Sequence, residues 1–253
     1  MKQPNTSSLP TASVGVILRS AILFSCQFVT TLALAPLVLF NKGAAFSSHY
    51  RIAKLWVRIN QWVLEHVCGL RYDVQGIENI PERNGVILSK HQSTWETFSF
   101  LLIFPPMVYL LKQELLQIPV WGWALARLDP IAIDRDAKTA ALKKVLREGE
   151  ERLKSGRWVV VFPEGTRVPP GERGKYNTSG AMLAHRAHCP VVFVAHNAGE
   201  FWRRHAFLKF PGKIQVRISP PIDASQFSAN EINRQAEEWI EAQMLEITGT
   251  GKP

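Results

Sequence analysis

The chain predicts an α/β fold: a central mixed, largely parallel sheet flanked by helices, following an N-terminal membrane-binding two-helix segment. Three features predict this. Short apolar runs at 85–89, 157–162 and 191–195 read as buried strands. Between such runs lie longer stretches in which apolar residues recur at helical spacing, and strands joined by helices favour parallel pairing. Ahead of both, residues 20–40 run 21 positions without a charge.

Residues 1–11 are polar and predict disorder. The segment 20–40 is long enough to cross about 30 Å of hydrocarbon as a helix, although Ser20, Ser25, Gln27, Thr30, Thr31 and Pro36 dilute it. A cleaved signal peptide and a soluble core helix are the competing readings; for the former, the apolar region begins late and is long. Next, Ile52, Leu55, Trp56, Ile59, Trp62 and Val63 recur at helical spacing opposite Arg51, Lys54, Arg58, Gln61 and Glu65. That separation of faces suits an interfacial helix, or an amphipathic helix packed on a core. Strands then follow near 71–75, 85–89, 107–111, 130–133, 157–162, 191–195 and 213–219, with helices near 93–104, 114–126, 137–154, 179–187 and 230–247. The division expected is 1–69 for the membrane-associated helices and 70–253 for a catalytic domain.

Charge supports the same division. The formal net charge is +9, and no Asp or Glu precedes Glu65, whereas Lys2, Arg19, Lys42, Arg51, Lys54 and Arg58 do. Positive charge beside apolar sequence points to an anionic membrane surface, and no nucleic-acid-reading motif is present. Cys26, Cys68 and Cys189 are odd in number and lack metal-ligand spacing, so they read as buried thiols. His185, His188, Cys189 and His196 do not make a zinc pattern, and no metal is expected.

Two blocks carry chemistry. His91-Gln92-Ser93-Thr94-Trp95-Glu96 offers a base and a carboxylate to orient it; Phe162-Pro163-Glu164-Gly165-Thr166-Arg167 sets an acid, a hydroxyl and an arginine beside a glycine after a buried strand. The first block also fits an S-x-x-E capping box, in which Glu96 caps a helix and nothing more. If both residues were helical they would lie about 140° apart, so contact requires His91 to precede the helix, as a strand ending at 89 allows.

With Ile133-Asp134-Arg135, Pro190-Val191-Val192-Phe193-Val194-Ala195 and the stretch from Lys112-Gln113-Glu114-Leu115 through Pro119 to Trp123, these blocks resemble the glycerolipid acyltransferases typified by bacterial 1-acyl-sn-glycerol-3-phosphate acyltransferase. The likeness spans about residues 70–220. One departure stands out: the family's first block is H-x-x-x-x-D, and here Glu96 holds the acid position.

The resemblance implies His91 as general base and Glu96 as its orienter, with no covalent acyl-enzyme. It implies Arg167 and Arg135 as phosphate-binding residues, with Lys112, Glu164, Gly165 and Thr166 also at the substrate. Read from the residues alone, Arg135 could equally pair with Asp134 or Asp136, and Arg167 with Glu164 or Glu172. The implied substrates are lysophosphatidic acid and an acyl thioester of acyl carrier protein or coenzyme A, with no cofactor beyond that co-substrate. The implied location is a bacterial-type inner membrane, the catalytic domain facing the cytosol. Another lysolipid acceptor such as a lyso-ornithine lipid, a non-catalytic membrane-binding protein on the same fold, and a lipid hydrolase are the alternatives. The last lacks a G-x-S-x-G elbow. Trp95, Phe98, Trp121 and Trp123 are candidates to line an acyl-chain groove.

Overall fold

The computed structural model describes residues 13–41, 43–134 and 136–249; the polar start and Arg135 lie outside the described residues. Two long helices come first, α1 (Val14–Leu39) and α2 (Phe46–His66). They run antiparallel: the Trp56 indole and the Asn60 amide donate to the Thr31 and Thr30 hydroxyls, while the Cys68 thiol donates to the Arg19 carbonyl. The threonines and Asn60 that dilute the apolar pattern are therefore the polar partners between the helices, and each hydroxyl also bonds a carbonyl one turn back.

After α2 come β1 (Leu70–Gln75), β2 (Val86–Ser89), α3 (Trp95–Ile103), β3 (Met107–Lys112), α4 (Trp121–Ala126) and β4 (Ile131–Ile133). The chain continues through α5 (Lys138–Lys154), β5 (Trp158–Val161), α6 (Ser179–Ala187), β6 (Pro190–His196), β7 (Gly212–Ile218), β8 (Ile222–Asp223) and α7 (Ala229–Ile247). The sheet order is β1-β7-β6-β2-β5-β3-β4, with β8 against β6. Strands β6, β2, β5, β3 and β4 are mutually parallel, whereas β7 and β8 pair antiparallel with β6. The sheet is thus mixed and largely parallel, as the sequence predicts.

Alternation along the buried strands divides the core. Ile87, Val160, Val192 and Val194 face α2 and α3 with Val57, Trp95 and Phe100. Val86, Leu88, Val159 and Val161 face the other layer with Leu183, Ile232 and Ile240. Each such side chain contributes about 1.5–3 kcal/mol by leaving water.

Two expectations change. The single helix near 114–126 is two pieces, a 3-10 turn at Gln113–Gln117 and α4, since Pro119 and the left-handed Val120 interrupt it. The faces of α2 are not those of the sequence reading. Trp56 and Val63 pack inward, while Leu55 and Trp62 are exposed on the same stripe as Arg51 and Arg58. Helical periodicity found the amphipathic segment, but the docking of α1 and α3 on it selected the buried side.

Candidate active site

Because β2, β5, β3 and β4 are parallel neighbours, the loops after them line up along one edge of the sheet. Blocks far apart in sequence meet there, at the carboxyl ends of the strands.

His91 follows β2 and precedes α3, as contact with Glu96 requires. Its Nδ1 lies 2.8 Å from Glu96 Oε1. The same oxygen accepts from the backbone amides of Gln92 and Ser93 at 2.9 and 2.8 Å. Glu96 therefore does both jobs that the sequence left as alternatives: it caps the amides ahead of the helix and holds the imidazole. Burial alone would raise its carboxyl; His196 nearby and the hydrogen bonds from His91 and the Ser93 amide outweigh this and leave it below the ordinary carboxylate value. An ionised carboxylate only accepts, so Nδ1 carries a proton, and a neutral imidazole held this way has its lone pair at Nε2. The helix begins at Trp95, two residues after the expected cap, and Ser93 is fully buried with its hydroxyl accepting from the Trp95 amide.

The second block grips the backbone of the first. Glu164 Oε2 accepts from the His91 amide at 3.0 Å, and the Val168 amide donates to the His91 carbonyl at 2.8 Å. Glu164 Oε1 is 2.7 Å from Lys90 Nζ, which also donates to Glu241 Oε1 of α7 at 2.8 Å, and Tyr176 donates to that same oxygen. Lys90 and Glu164 are buried. Glu164 thus sits behind the histidine, outside the cavity wall. Gly174 makes room for it: a Cβ there would approach Glu164 Oε1 to 2.9 Å. His196, also buried, donates from Nε2 to the Lys90 carbonyl, and burial lowers its basicity. Lys90, Glu241 and His196 are the members of this scaffold that the motifs did not reveal as a group; the unusual buried lysine depends on two carboxylates, one of them 151 residues away.

In front of His91 opens a cavity of about 630 Å³, within the range of small-molecule sites. Its wall is mostly apolar and comes from α1 to α5, including Leu34, Ala35, Tyr50, Trp56, Phe98, Leu101, Trp121, Leu125 and Val145. His91, Lys112, Gly165 and Arg167 line it too. The His91 ring stacks on Phe162, centroids 4.0 Å apart, and Phe162 stacks on Tyr109, whose hydroxyl reaches the Glu96 carbonyl. Gly165, at φ 68°, closes a turn onto the Phe162 carbonyl in a conformation that side chains with a Cβ resist.

The remaining candidates divide. Arg167 is partly buried in the cavity wall, its Nε has no hydrogen-bond partner, and burial pulls its basicity down while Glu96 pushes it up and Arg204 lowers it. Its sequence-level alternative, pairing with Glu164 or Glu172, is not what the structure contains. Lys112 lines the cavity and pairs with Glu114 at 2.7 Å. Thr166 is exposed and outside the lining, and Arg135 lies outside the described residues. Of the aromatic candidates, Phe98 and Trp121 line the cavity, whereas Trp95 is in the core against His196 and Trp123 points to the surface.

The chain that carries this histidine–carboxylate pair, at the carboxyl edge of a mixed sheet beside an apolar cavity, is similar to known proteins in sequence and fold. The acyltransferase family model covers residues 71–197, and the chain belongs to that family. It is similar to a 1-acyl-sn-glycerol-3-phosphate acyltransferase of Pseudomonas aeruginosa, 48% identical over 207 residues and covering 80% of each chain. It is also similar to the chloroplastic 1-acyl-sn-glycerol-3-phosphate acyltransferase BAT2 of Brassica napus, 30% identical over 62% of this chain and 44% of that one. The crystal structure of the 1-acyl-sn-glycerophosphate acyltransferase PlsC from Thermotoga maritima superposes with a TM-score of 0.78, covering 94% of this chain and 98% of that one at 23% identity, which establishes the shared fold.

Proposed function

We propose that the protein transfers an acyl chain from a thioester of acyl carrier protein or coenzyme A to the 2-hydroxyl of lysophosphatidic acid, giving phosphatidic acid. The observation that carries this reading is the His91 ring, held at Nδ1 by a buried carboxylate and bordering an apolar cavity that also contains Arg167. The Nε2 lone pair takes the hydroxyl proton as the oxygen attacks the thioester carbonyl. The tetrahedral intermediate collapses with cleavage of the C–S bond, and the imidazolium returns the proton to the departing thiolate. Glu96 holds the ring and offsets the imidazolium charge. No acyl-enzyme is needed, and buried Ser93 is unsuited to form one. Arg167, with Lys112 and Arg135, supplies cationic groups for the acceptor phosphate, and the apolar wall takes the acyl chain.

The N-terminal helices hold the enzyme on one leaflet of the cytoplasmic membrane, with the catalytic domain in the cytosol where acyl thioesters are made. Helix α1 is apolar enough to cross a bilayer and exposes Ile17, Leu18, Phe28, Val29 and Leu32. Its partner α2, however, exposes Arg51 in its second turn and Arg58 near its middle. A pair carrying those charges lies in the interface with α1 dipping into hydrocarbon. Protease treatment of an N-terminally tagged protein in sealed inner-membrane vesicles tests this: a tag on the same side as the catalytic domain fits, and a tag across the membrane refutes it.

The activity is tested with purified protein, a labelled acyl donor and a panel of lysolipids. Donor consumption that depends on lysophosphatidic acid and yields phosphatidic acid supports the reading. Consumption without acceptor indicates hydrolysis, and use of another lysolipid in its place, such as a lyso-ornithine lipid, reassigns the acceptor.

A further inference from the structure

The connection from β6 to β7 is stapled to the membrane-binding helices. Phe201 and Trp202 are buried, the Phe210 amide donates to the Phe201 carbonyl, the Lys209 amide donates to the Ser20 hydroxyl of α1, and Phe207 packs on Phe24 of α1. From this anchored loop a tight turn, closed by the Ala206 amide on the Arg203 carbonyl, projects Arg203 and Arg204. Arg204 Nη1 donates to the backbone carbonyl of Arg167 at 3.5 Å. Two like charges are thereby brought to one place, and among the described residues neither Arg167 nor Arg204 pairs with a carboxylate. Most other arginines of the catalytic domain have one: Arg152 and Arg157 on Asp129, Arg173 on Glu237, Arg186 on Glu150 and Arg234 on Glu231. The Arg204 charge lowers the basicity of the Arg167 guanidinium while Glu96 opposes it, and a phosphate that accepts from both planar forks adds counter-charge where the two cations meet.

We infer that Arg204 is a second ligand of the acceptor's phosphate, facing Arg167 across a phosphomonoester-binding site at the membrane side of the cavity. This rests on the acceptor reading above and deepens it. Arg167 lines the cavity and Arg204 does not, so in this reading the phosphate sits between the two at the cavity's edge while the 2-hydroxyl reaches in to His91. With α1 in the membrane as proposed above, the loop's attachment to α1 holds Arg204 beside the lipid headgroups. Specificity for a terminal phosphate follows, because a phosphodiester headgroup brings one negative charge and a bulky substituent to a site built from two cations.

The test uses the full chain in mixed micelles, comparing wild type, Arg204→Ala and Arg204→Lys for rates at varied lysophosphatidic acid and varied donor, with partition onto anionic vesicles measured alongside. Arg204→Ala raises the KM for lysophosphatidic acid about tenfold, the lower range for a charge-assisted hydrogen bond, and leaves donor KM and vesicle partition as in wild type. Arg204→Lys recovers part of the loss, since a point charge replaces a fork. An unchanged acceptor KM overturns the inference, as does an equal rise in donor KM, or a loss that follows vesicle partition and marks a general bilayer contact. Wild type that turns over lysophosphatidic acid while Arg204→Ala is normal removes this inference alone. Wild type that does not use lysophosphatidic acid removes the acceptor reading with it.

Discussion

Two groups of charges flank His91, and they are built on opposite rules. Behind it, Lys90, Glu164 and Glu241 are packed together with every ion matched at 2.7–2.8 Å, and Glu164 holds the histidine's amide. In front, Arg167 and Arg204 lie together with no carboxylate partner among the described residues. Buried ions that satisfy one another cannot also bind a ligand; their desolvation is already offset, and their role is to hold backbone in place. Cations left unmatched beside a cavity are poised for an anion from outside. Charged side chains thus serve as scaffold on one side of His91 and, in the reading proposed above, as binding site on the other.

Breaking the proposed base gives the largest effect. His91→Ala lowers the transfer rate about a hundredfold to ten-thousandfold, the range for general-base catalysis, with the unfolding transition little changed. Comparable activity from a well-folded variant would reject the mechanism.

The rear cluster responds in stability. Lys90→Met strands two carboxylates and costs about 3–5 kcal/mol in urea unfolding, whereas combining it with Glu164→Gln costs less than the sum of the two single changes. Simple additivity would show that these charges are not one unit.

The front responds in substrate use instead. Arg167→Ala lowers kcat/KM for lysophosphatidic acid by about 1.5–3 kcal/mol of transition-state binding, with stability nearly unchanged because no ion partner is stranded. Lost stability with normal kinetics would place Arg167 in the scaffold.

The dyad carboxylate has a pH signature. Its folded pKa is below the ordinary 4.5, so its contribution to stability is fully present above that value and is lost as pH falls through the folded pKa. The stability gap between wild type and Glu96→Gln therefore narrows on acidification below about pH 4.5. A gap that widens contradicts the assigned charge state. The smallest change expected is in the N-terminal segment, where reversing Arg51 and Arg58 weakens partition onto anionic vesicles by about 1 kcal/mol for each cation removed, an effect that added salt reduces. Unchanged partition would exclude α2 from the headgroup layer.

Much of this arrangement was legible beforehand. The strands near 85–89 and 157–162 were legible because buried parallel strands are written as short, nearly continuous apolar runs, and α6 and α7 because their spacing is regular. The position of His91 ahead of its helix followed from a strand ending at Ser89. Glu164 was legible as a motif residue but not as a scaffold residue, since its partners Lys90 and the His91 amide lie 74 and 73 positions away.

By itself, then, the sequence determined most of the order of strands and helices, the amphipathic N-terminus, His91 and Glu96 as candidates for a pair or a cap, and the blocks that carry the family likeness, because each is a local pattern readable within a few residues. Only the tertiary structure decided which face of α2 is buried, that Glu164 points to Lys90 while Arg167 borders the cavity, and that Arg204 comes to rest on Arg167. These depend on which strands lie side by side and how helices dock on them, and such contacts form between distant segments that carry no mark of one another in the chain.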